Sequence, residues 1–317
     1  EPTLTWWPRN WKRGCNEDDN RAGVCIVSSY DCTVLHFPGT QANGCDCLVM
    51  VVGRSPFVGA SCAGDPISAC HTDCGVVQMK RYVVLSDIQI PFQDDSALEV
   101  AYKLIKDVKP DGVILNGDIV DCYSISDFDK DPWSEADIDS EIAGACNLMG
   151  KLSKVPNKVW IGGNHEDRWR RVIWKQGSQY RSLYKSFPDA FQMGDYGFRW
   201  RPYGDYVLLG KLMVTHGSMV SKHSGQTAKA HYDKYGRSVL VGHTHRLGSY
   251  YHTNMEGQYG AWENGCLCKL DPEYTQHPDW QQGFSVVEVG DAGLFHVTQC
   301  PVLKGCMCFY GDRLVRI

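Results

Sequence analysis

Nothing in this chain of 317 residues resembles a membrane anchor, because no run of about 18 consecutive apolar residues occurs. There is also no excess of basic charge. The formal net charge is -5 and the pI about 6.1, which argues against a protein held on nucleic acid by bulk electrostatics. No internal repeat is present. The first residue is Glu1 rather than Met, and no signal peptide is visible. The chain is therefore expected to be processed or trimmed, and its compartment cannot be read. Helical periodicity is missing from residues 1–78 altogether.

What those first 78 residues have instead is cysteine. Eight of the 15 cysteines fall here: Cys15, Cys25, Cys32, Cys45, Cys47, Cys62, Cys70 and Cys74. Short apolar runs (Val24 to Val27, Leu48 to Val52) are broken by Gly, Pro, Asn and Asp, as in a small loop-rich or β-rich module. Three states remain open: a disulfide-stapled appendage, a zinc site drawing on Cys45, Cys47, Cys70, His71 and Cys74, or reduced thiols in a weakly structured extension. Met79-Lys80-Arg81 makes a natural start for a free-standing domain. The expected division is a cysteine-rich accessory module over 1–78 and a free-standing domain over 79–317.

From Lys80 onward the pattern becomes regular. Arg81 to Leu85 reads as a short strand ending at Asp87-Ile88-Gln89. Apolar residues from Ala97 to Val108 form a helical stripe that Asp94, Asp95 or Ser96 can cap. Gly112 to Leu115 is a second strand, ending at Gly117-Asp118. A helix is expected at about 135–152 and a third strand over Lys158 to Ile161, ending at Asn164-His165-Glu166. A helical Arg/Trp-rich segment, Arg168 to Lys175, leads into an irregular region up to about Pro202. A hairpin about Gly210 runs into His216-Gly217. A helix over Thr227 to Tyr235 precedes the buried strand Val239 to Val241, which stops at Gly242 and delivers His243 and His245. Past Gly248 the pattern alternates like antiparallel β. Strand–helix alternation followed by a β-rich end implies a layered α/β domain.

Ligands in such folds collect beyond the carboxyl ends of the strands. Here five strand ends carry metal-ligand types: Asp87 with Gln89, Asp118, Asn164 with His165, His216, and His243 with His245. A single carboxylate at a strand end is usually a helix cap, and a lone His-x-His is usually inert. Five such ends in one chain make coincidence a poor explanation. In extended chain His243 and His245 point to one side, toward one point or two neighbouring points. Two dications held about 3.5–4 Å apart need a bridging anion, which Asp118 can supply. They would clamp a phosphoryl group and activate a water. Mixed His, Asp and amide ligation suits Mn, Fe or Zn better than Ca and speaks against a soft thiolate site.

Asp87-x-Gln89, Gly117-Asp118-x-x-Asp121, Gly163-Asn164-His165-Glu166, His216-Gly217 and Gly242-His243-x-His245 resemble, in order and spacing, the signature of the calcineurin-like metallophosphoesterase family. The longer phrases resemble single-domain phage and bacterial members. The resemblance covers residues 79–317 and implies a four-layer α/β/β/α sandwich with two divalent ions, Mn or Fe favoured and Zn open. It implies that Asp87, Gln89, Asp118 and His245 hold the first ion. Asp118 would bridge to the second, held also by Asn164, His216 and His243. His165 would stand over the substrate and stabilise the transition state or protonate the leaving oxygen. Asp121 and Glu166 would orient ligand histidines, although a helix cap or loop hydrogen bond serves equally for Asp121. One departure stands out: the family motif usually reads Asp-x-His where this chain has Asp87-Ile88-Gln89. A glutamine carbonyl is the weaker ligand, so the first ion is expected to be held less tightly.

The resemblance implies a phosphate-ester substrate, with a nucleotide or a nucleic-acid end favoured over a long duplex because residues 79–317 carry no basic excess, and with phosphomonoesters and phosphoproteins left open. Arg168, Arg170, Arg171 and Lys175 could contact extra phosphates or form a solvated helix face, and Lys222, His223 and Lys229 follow His216 toward the same cleft. Trp169 and Trp174 could stack bases or belong to the core. Cys266-x-Cys268, Cys300 and Cys306-x-Cys308 could form a structural disulfide or a zinc knot near the carboxyl end, and buried free thiols are the expectation in a cytoplasmic setting. Disulfides in the N-terminal module would instead place the chain outside the cell. The competing reading is a binding or structural protein that keeps the fold with a degraded metal site, for which Gln89 and the cysteine-rich module speak. Oligomeric state is not readable.

Overall fold

The structure is a computed structural model. It describes residues 79–317 apart from 131–132, 135, 177–182 and 273–277, together with two two-residue strands, β1 (Ser28–Ser29) and β2 (Cys32–Thr33). Chain contacts divide the molecule into Glu1–Asp73 and Cys74–Ile317, and the fold that follows is that of the second unit. The expectations of disulfides or zinc within residues 1–78 fall outside the described residues.

Two sheets make the frame. The first has six strands in the order β13-β12-β3-β4-β5-β6. Its parallel centre is β3 (Lys80–Leu85), β4 (Gly112–Asn116), β5 (Asn157–Ile161) and β6 (Phe198–Arg201). Antiparallel β12 (Gly283–Val289) and β13 (Phe295–Pro301) extend it on the β3 side. The second sheet has five strands, β10-β11-β9-β8-β7: β7 (Val207–Leu209), β8 (Leu212–Thr215), β9 (Val239–Val241), β10 (Leu247–Asn254) and β11 (Gly257–Asn264).

Side-chain alternation assembles the layers, since successive residues of a strand face opposite sides. Val84, Ile114, Val159 and Ile161 face the second sheet and pack with Leu209, Leu212, Val214, Leu240 and Trp262. Val83, Leu85, Val113, Leu115 and Trp160 face the other way, onto helices α1 (Asp95–Val108) and α2 (Ile138–Lys151). On the far side of the second sheet, Met213, Val239, Val241 and Ala261 cover Ala228 of α5 (Gln226–Tyr235). The result is the four-layer α/β/β/α sandwich. Buried on both faces, the central parallel strands read as apolar runs.

Local chemistry places the helices where their caps permit. Asp94 caps α1 by accepting from the Ala97 N–H at 2.9 Å, and its apolar stripe is buried on the sheet. Asp137 and Ser140 form a reciprocal capping box at the start of α2.

Three features differ from the sequence expectation. The region expected to be irregular up to Pro202 contains α4 (Phe187–Ala190) and the four-residue edge strand β6, in which Phe198 and Trp200 alternate with two exposed arginines. The β-rich end is not wholly antiparallel, because β11 pairs parallel with β9. A terminal hairpin, β14 (Met307–Tyr310) and β15 (Arg313–Arg316), was not anticipated, and it closes the core beside α1 with Cys308 and Val315.

Candidate metal centre

The side chains singled out by sequence gather at one edge of the sandwich, where β3, β4, β5, β8 and β9 end. Beyond β3 and β4 the two connections run side by side. The Asp87 N–H donates to Gly117 O at 3.0 Å, the Gln89 N–H to Asp118 O at 2.9 Å and the Ile90 N–H to Ile119 O at 2.9 Å. Asp87, Gln89, Asp118, His243 and His245 all have positive φ, between 51° and 72°. A left-handed backbone is uncommon for residues other than glycine and is held only by surrounding structure. His243 and His245 therefore do not sit in extended chain as expected. A tight turn, with the Thr244 N–H donating to Gly242 O at 2.9 Å, separates them and sends their rings to two neighbouring points.

Two groups of ligand atoms result, and they share one carboxylate. Asp87, Asp118 and His245 bring one ligand atom each within 4.8 Å of one another, and so do Asp118, His216 and His243. The His245 Nε2 is 3.3 Å from Asp87 Oδ1 and 3.1 Å from the Gln89 amide nitrogen. Rotating that amide by half a turn exchanges its nitrogen for the carbonyl oxygen. The His216 Nε2 is 3.2 Å from Asp118 Oδ2 and 3.2 Å from Asn164 Oδ1, while its Nδ1 donates to Asn116 O at 2.8 Å. That backbone contact fixes the tautomer and leaves Nε2 facing the centre.

Asp87 and Asp118 are buried, and buried carboxylates require positive charge. The protein answers with protons. Burial works against charge on His245 and His216, but Asp87 and Asp118 outweigh it and push the imidazoles up to about 10 and about 9. Burial also works against Asp118, yet His165 and His216 hold it well below the usual carboxylate range. Burial and the neighbouring His216 push His243 down to about 4, so that ring is neutral. The His243 Nδ1 is buried with no hydrogen-bond partner among the described residues. Two buried carboxylates, a neutral imidazole with an unpartnered nitrogen and two imidazoles whose protons a cation can displace are a donor set that fits divalent metal.

Three glycines make room for these donors. A Cβ on Gly117 would lie 2.3 Å from His216 Nδ1, one on Gly163 2.1 Å from Asp118 Oδ1, and one on Gly242 2.7 Å from Asp87 Oδ2.

His165 belongs to neither group. Its N–H donates to Asp118 Oδ1 at 2.9 Å, its Nε2 is 3.7 Å from Asp118 Oδ2, and its Nδ1 is 3.2 Å from Asp121 Oδ2. Burial lowers its proton affinity, but Asp118 and Asp121 raise it further, so the net shift is upward. Arg168 reaches the site from α3 (Glu166–Gln176) and is engaged there. It donates to Asp121 O and Oδ1 at 2.7 and 2.9 Å and lies 3.2 Å from His165 Nε2. Glu166 orients no histidine. It accepts from the N–H groups of Asp118, Ile119, Val120 and Gly163 at 2.9, 2.7, 3.3 and 2.6 Å, and so shapes the Asp118 turn itself. Burial and Asp118 push this carboxyl upward, while the four donors favour its ionised form.

The structure does not bring Lys222 and His223 into either group. Both are exposed, and Lys222 meets the rest of the fold through its carbonyl, which accepts from Arg246. Trp174 is exposed with Arg170 stacked over it at 4.0 Å, whereas Trp169 packs on the aromatic core beneath β5. Sequence reading missed Glu263, a buried carboxylate that accepts from Gly225 N–H and Thr244 Oγ1. It named Cys268 but did not place it beside the metal centre, where its Sγ is 3.7 Å from His245 Nδ1. Among the described residues Cys122, Cys146, Cys266, Cys268, Cys300, Cys306 and Cys308 are unpaired. No helix among the described residues is long and apolar enough to cross a membrane.

The family model for calcineurin-like phosphoesterases matches residues 80–256. The Gene 54 protein of Mycobacterium phage D29 is 30% identical over 229 residues, covering 66% of this chain and 89% of that protein. Its counterpart in Mycobacterium phage L5 is 29% identical over the same shares. Among solved structures, a mutant of Vps29 from Entamoeba histolytica aligns over 71% of this chain and 94% of its own, at 10% identity and a TM-score of 0.39. YfcE, a phosphoesterase from E. coli, aligns over 69% and 97%, at 15% identity and a TM-score of 0.33. The chain belongs to the calcineurin-like phosphoesterase family, whose members use divalent metal ions.

Proposed function

We propose that residues 79–317 form a phosphodiesterase domain that works with two metal ions, and that residues 1–78 are an accessory module. The observation that carries this reading is the pair of ligand groups sharing Asp118. Asp87, Gln89, Asp118 and His245 would hold the first ion, and Asp118, Asn164, His216 and His243 the second. Mn or Fe suits this set best, with Zn also compatible. When bound, such ions polarise a phosphoryl oxygen and supply a water of lowered pKa.

The protein's own residues account for the rest. The Asn116 carbonyl holds the His216 tautomer. Glu166, through four backbone N–H groups, holds the Asp118 turn. His165 stands beside Asp118 outside both ligand groups, with a raised proton affinity and Asp121 at its Nδ1. It is suited to carry a proton to a leaving oxygen. Arg168 braces that imidazole and adds positive charge at the same place. A small diester or a nucleic-acid end suits a domain without basic excess better than a long duplex does.

The test is hydrolysis of bis-p-nitrophenyl phosphate by the full chain with Mn(II), with chelator, and in the His165→Ala variant. Metal-dependent turnover is expected, and the variant should lose about 10²–10⁴-fold in kcat at unchanged metal content. Full metal content without turnover on diesters or monoesters would remove the catalytic reading and leave a binding protein on the same fold.

A further inference from the structure

His245 has a second face that the phosphoesterase reading leaves unused. Its Nε2 points to Asp87 and Gln89, and its Nδ1 points the other way, to Cys268 Sγ at 3.7 Å. The sulfur belongs to a segment held on both sides by backbone hydrogen bonds. The Leu267 N–H donates to Asp87 O at 3.0 Å and the Lys269 N–H to Phe92 O at 3.0 Å, while the Cys266 N–H donates to Gln281 O at 3.1 Å. Isolated bridges pair Cys266 with Gln282 and Cys268 with Gln93. In extended chain alternate residues share a face, so Leu267 goes to the core while Cys266 and Cys268 face His245 together.

One donor atom each from His245, Cys266 and Cys268 lies within 4.8 Å of the others, and all three residues are buried. The thiols have long contacts: Cys266 Sγ has Gln281 O at 3.6 Å, Cys268 Sγ has His245 Nδ1 at 3.7 Å, and the two sulfurs hydrogen-bond to each other. Trp280 lies against His245, with ring centroids 4.1 Å apart. In a tetrahedral zinc site with bonds of about 2.0–2.3 Å, donors stand roughly 3.3–3.8 Å apart, so small side-chain rotations suffice to close this set. Two sulfurs and one imidazole select a thiophilic d10 cation and discriminate against Mn and Mg.

We propose that His245 Nδ1, Cys266 Sγ and Cys268 Sγ form a separate site for Zn(II), joined to the first catalytic ion through the His245 ring. Binding releases the Sγ protons of both cysteines. The imidazole gives up its remaining N–H as well when Nε2 also ligates, so the ring becomes a bridging imidazolate. A water or a backbone carbonyl completes the fourth position. This site would hold metal even in a chain without turnover, so its test does not depend on activity.

The test is ¹¹³Cd NMR on the full chain under reducing conditions, with Cd(II) standing in for Zn(II). A resonance in the thiolate range is expected, correlated with the β protons of Cys266 and Cys268 and with a ring proton of His245. Cys266→Ser and Cys268→Ser should each lose that resonance and bind one Zn(II) fewer per chain, while any oxygen- and nitrogen-ligated resonances persist. The proposal is overturned if no thiolate-range resonance correlates with these three residues, or if both variants keep the full zinc content. Should the variants fail to fold, the correlations in the unsubstituted chain decide alone.

Discussion

Gly163 lies where a methyl group has no room. In Gly163→Ala the new Cβ would sit 2.1 Å from Asp118 Oδ1, 2.5 Å from Asp118 N and 2.9 Å from Asp118 Cγ. Non-bonded heavy atoms are comfortable at about 3.5–4.0 Å, so the overlap exceeds 1 Å. One of the three atoms is backbone, and turning the Asp118 side chain cannot relieve it. The β4 and β5 connections must move apart, and Glu166 ties them together through the N–H groups of Asp118 and Gly163 at 2.9 and 2.6 Å. Overpacking costs about 1–3 kcal/mol, and weakening a hydrogen bond to a carboxylate about 1.5–3 kcal/mol. The expected loss is about 3 kcal/mol, or about 1 M in the urea midpoint at a slope of about 3 kcal/mol/M. Because Asp118 itself is displaced, Mn(II) affinity measured by calorimetry should fall tenfold or more. Gly150→Ala is the comparison. It lies in α2, and its Cβ would meet only Tyr196 Cε1, at 3.7 Å. It should gain about 0.5–1 kcal/mol from reduced chain entropy. Equal stabilities for the two variants, with unchanged Mn(II) binding, would refute the steric reasoning.

Three further outcomes follow from the same geometry. Glu166→Gln leaves four backbone donors facing an amide that offers one acceptor oxygen, and should destabilise by about 3 kcal/mol in urea unfolding; a loss below about 1 kcal/mol would mean that the turn holds itself. Gln89→His restores an imidazole at a backbone position His tolerates, with φ at 54°. Tighter binding of the weaker of two Mn(II) ions is expected, and unchanged isotherms would place residue 89 outside the coordination sphere. In chelator-treated protein, His216 and His245 have folded pKa values of about 9 and about 10 against roughly 6.5 when unfolded. Their contribution to stability is complete below about pH 6.5 and is lost as pH rises through 9 to 10. The Tm should therefore decline across that range, and less steeply in His245→Gln. A flat profile would show that these imidazoles are neutral in the folded state.

The alternation of buried strands and capped helices from Lys80 to Tyr235 follows from local rules: period, cap residue and glycine. Those rules act over a few residues, so α1, β4 and β5 could be read directly. The five strand-end motifs were also readable, because metal chemistry restricts which side chains can serve. Other features depended on residues far apart in the chain. Edge strand β6 has four residues, and its partner, β5, lies some 40 residues earlier. The parallel pairing of β11 with β9 leaves no mark on local alternation. The His243 and His245 rings diverge because a turn in left-handed backbone replaces the extended geometry that spacing alone suggests. Glu166 holds backbone amides of a turn more than 40 residues away, a role its own neighbours cannot announce. The sequence by itself determined the fold class and the donor types. Only the tertiary structure decided that Glu166 holds the Asp118 turn and that Cys266 and Cys268 stand behind His245, because those distances are set by how the sheets and their connections pack.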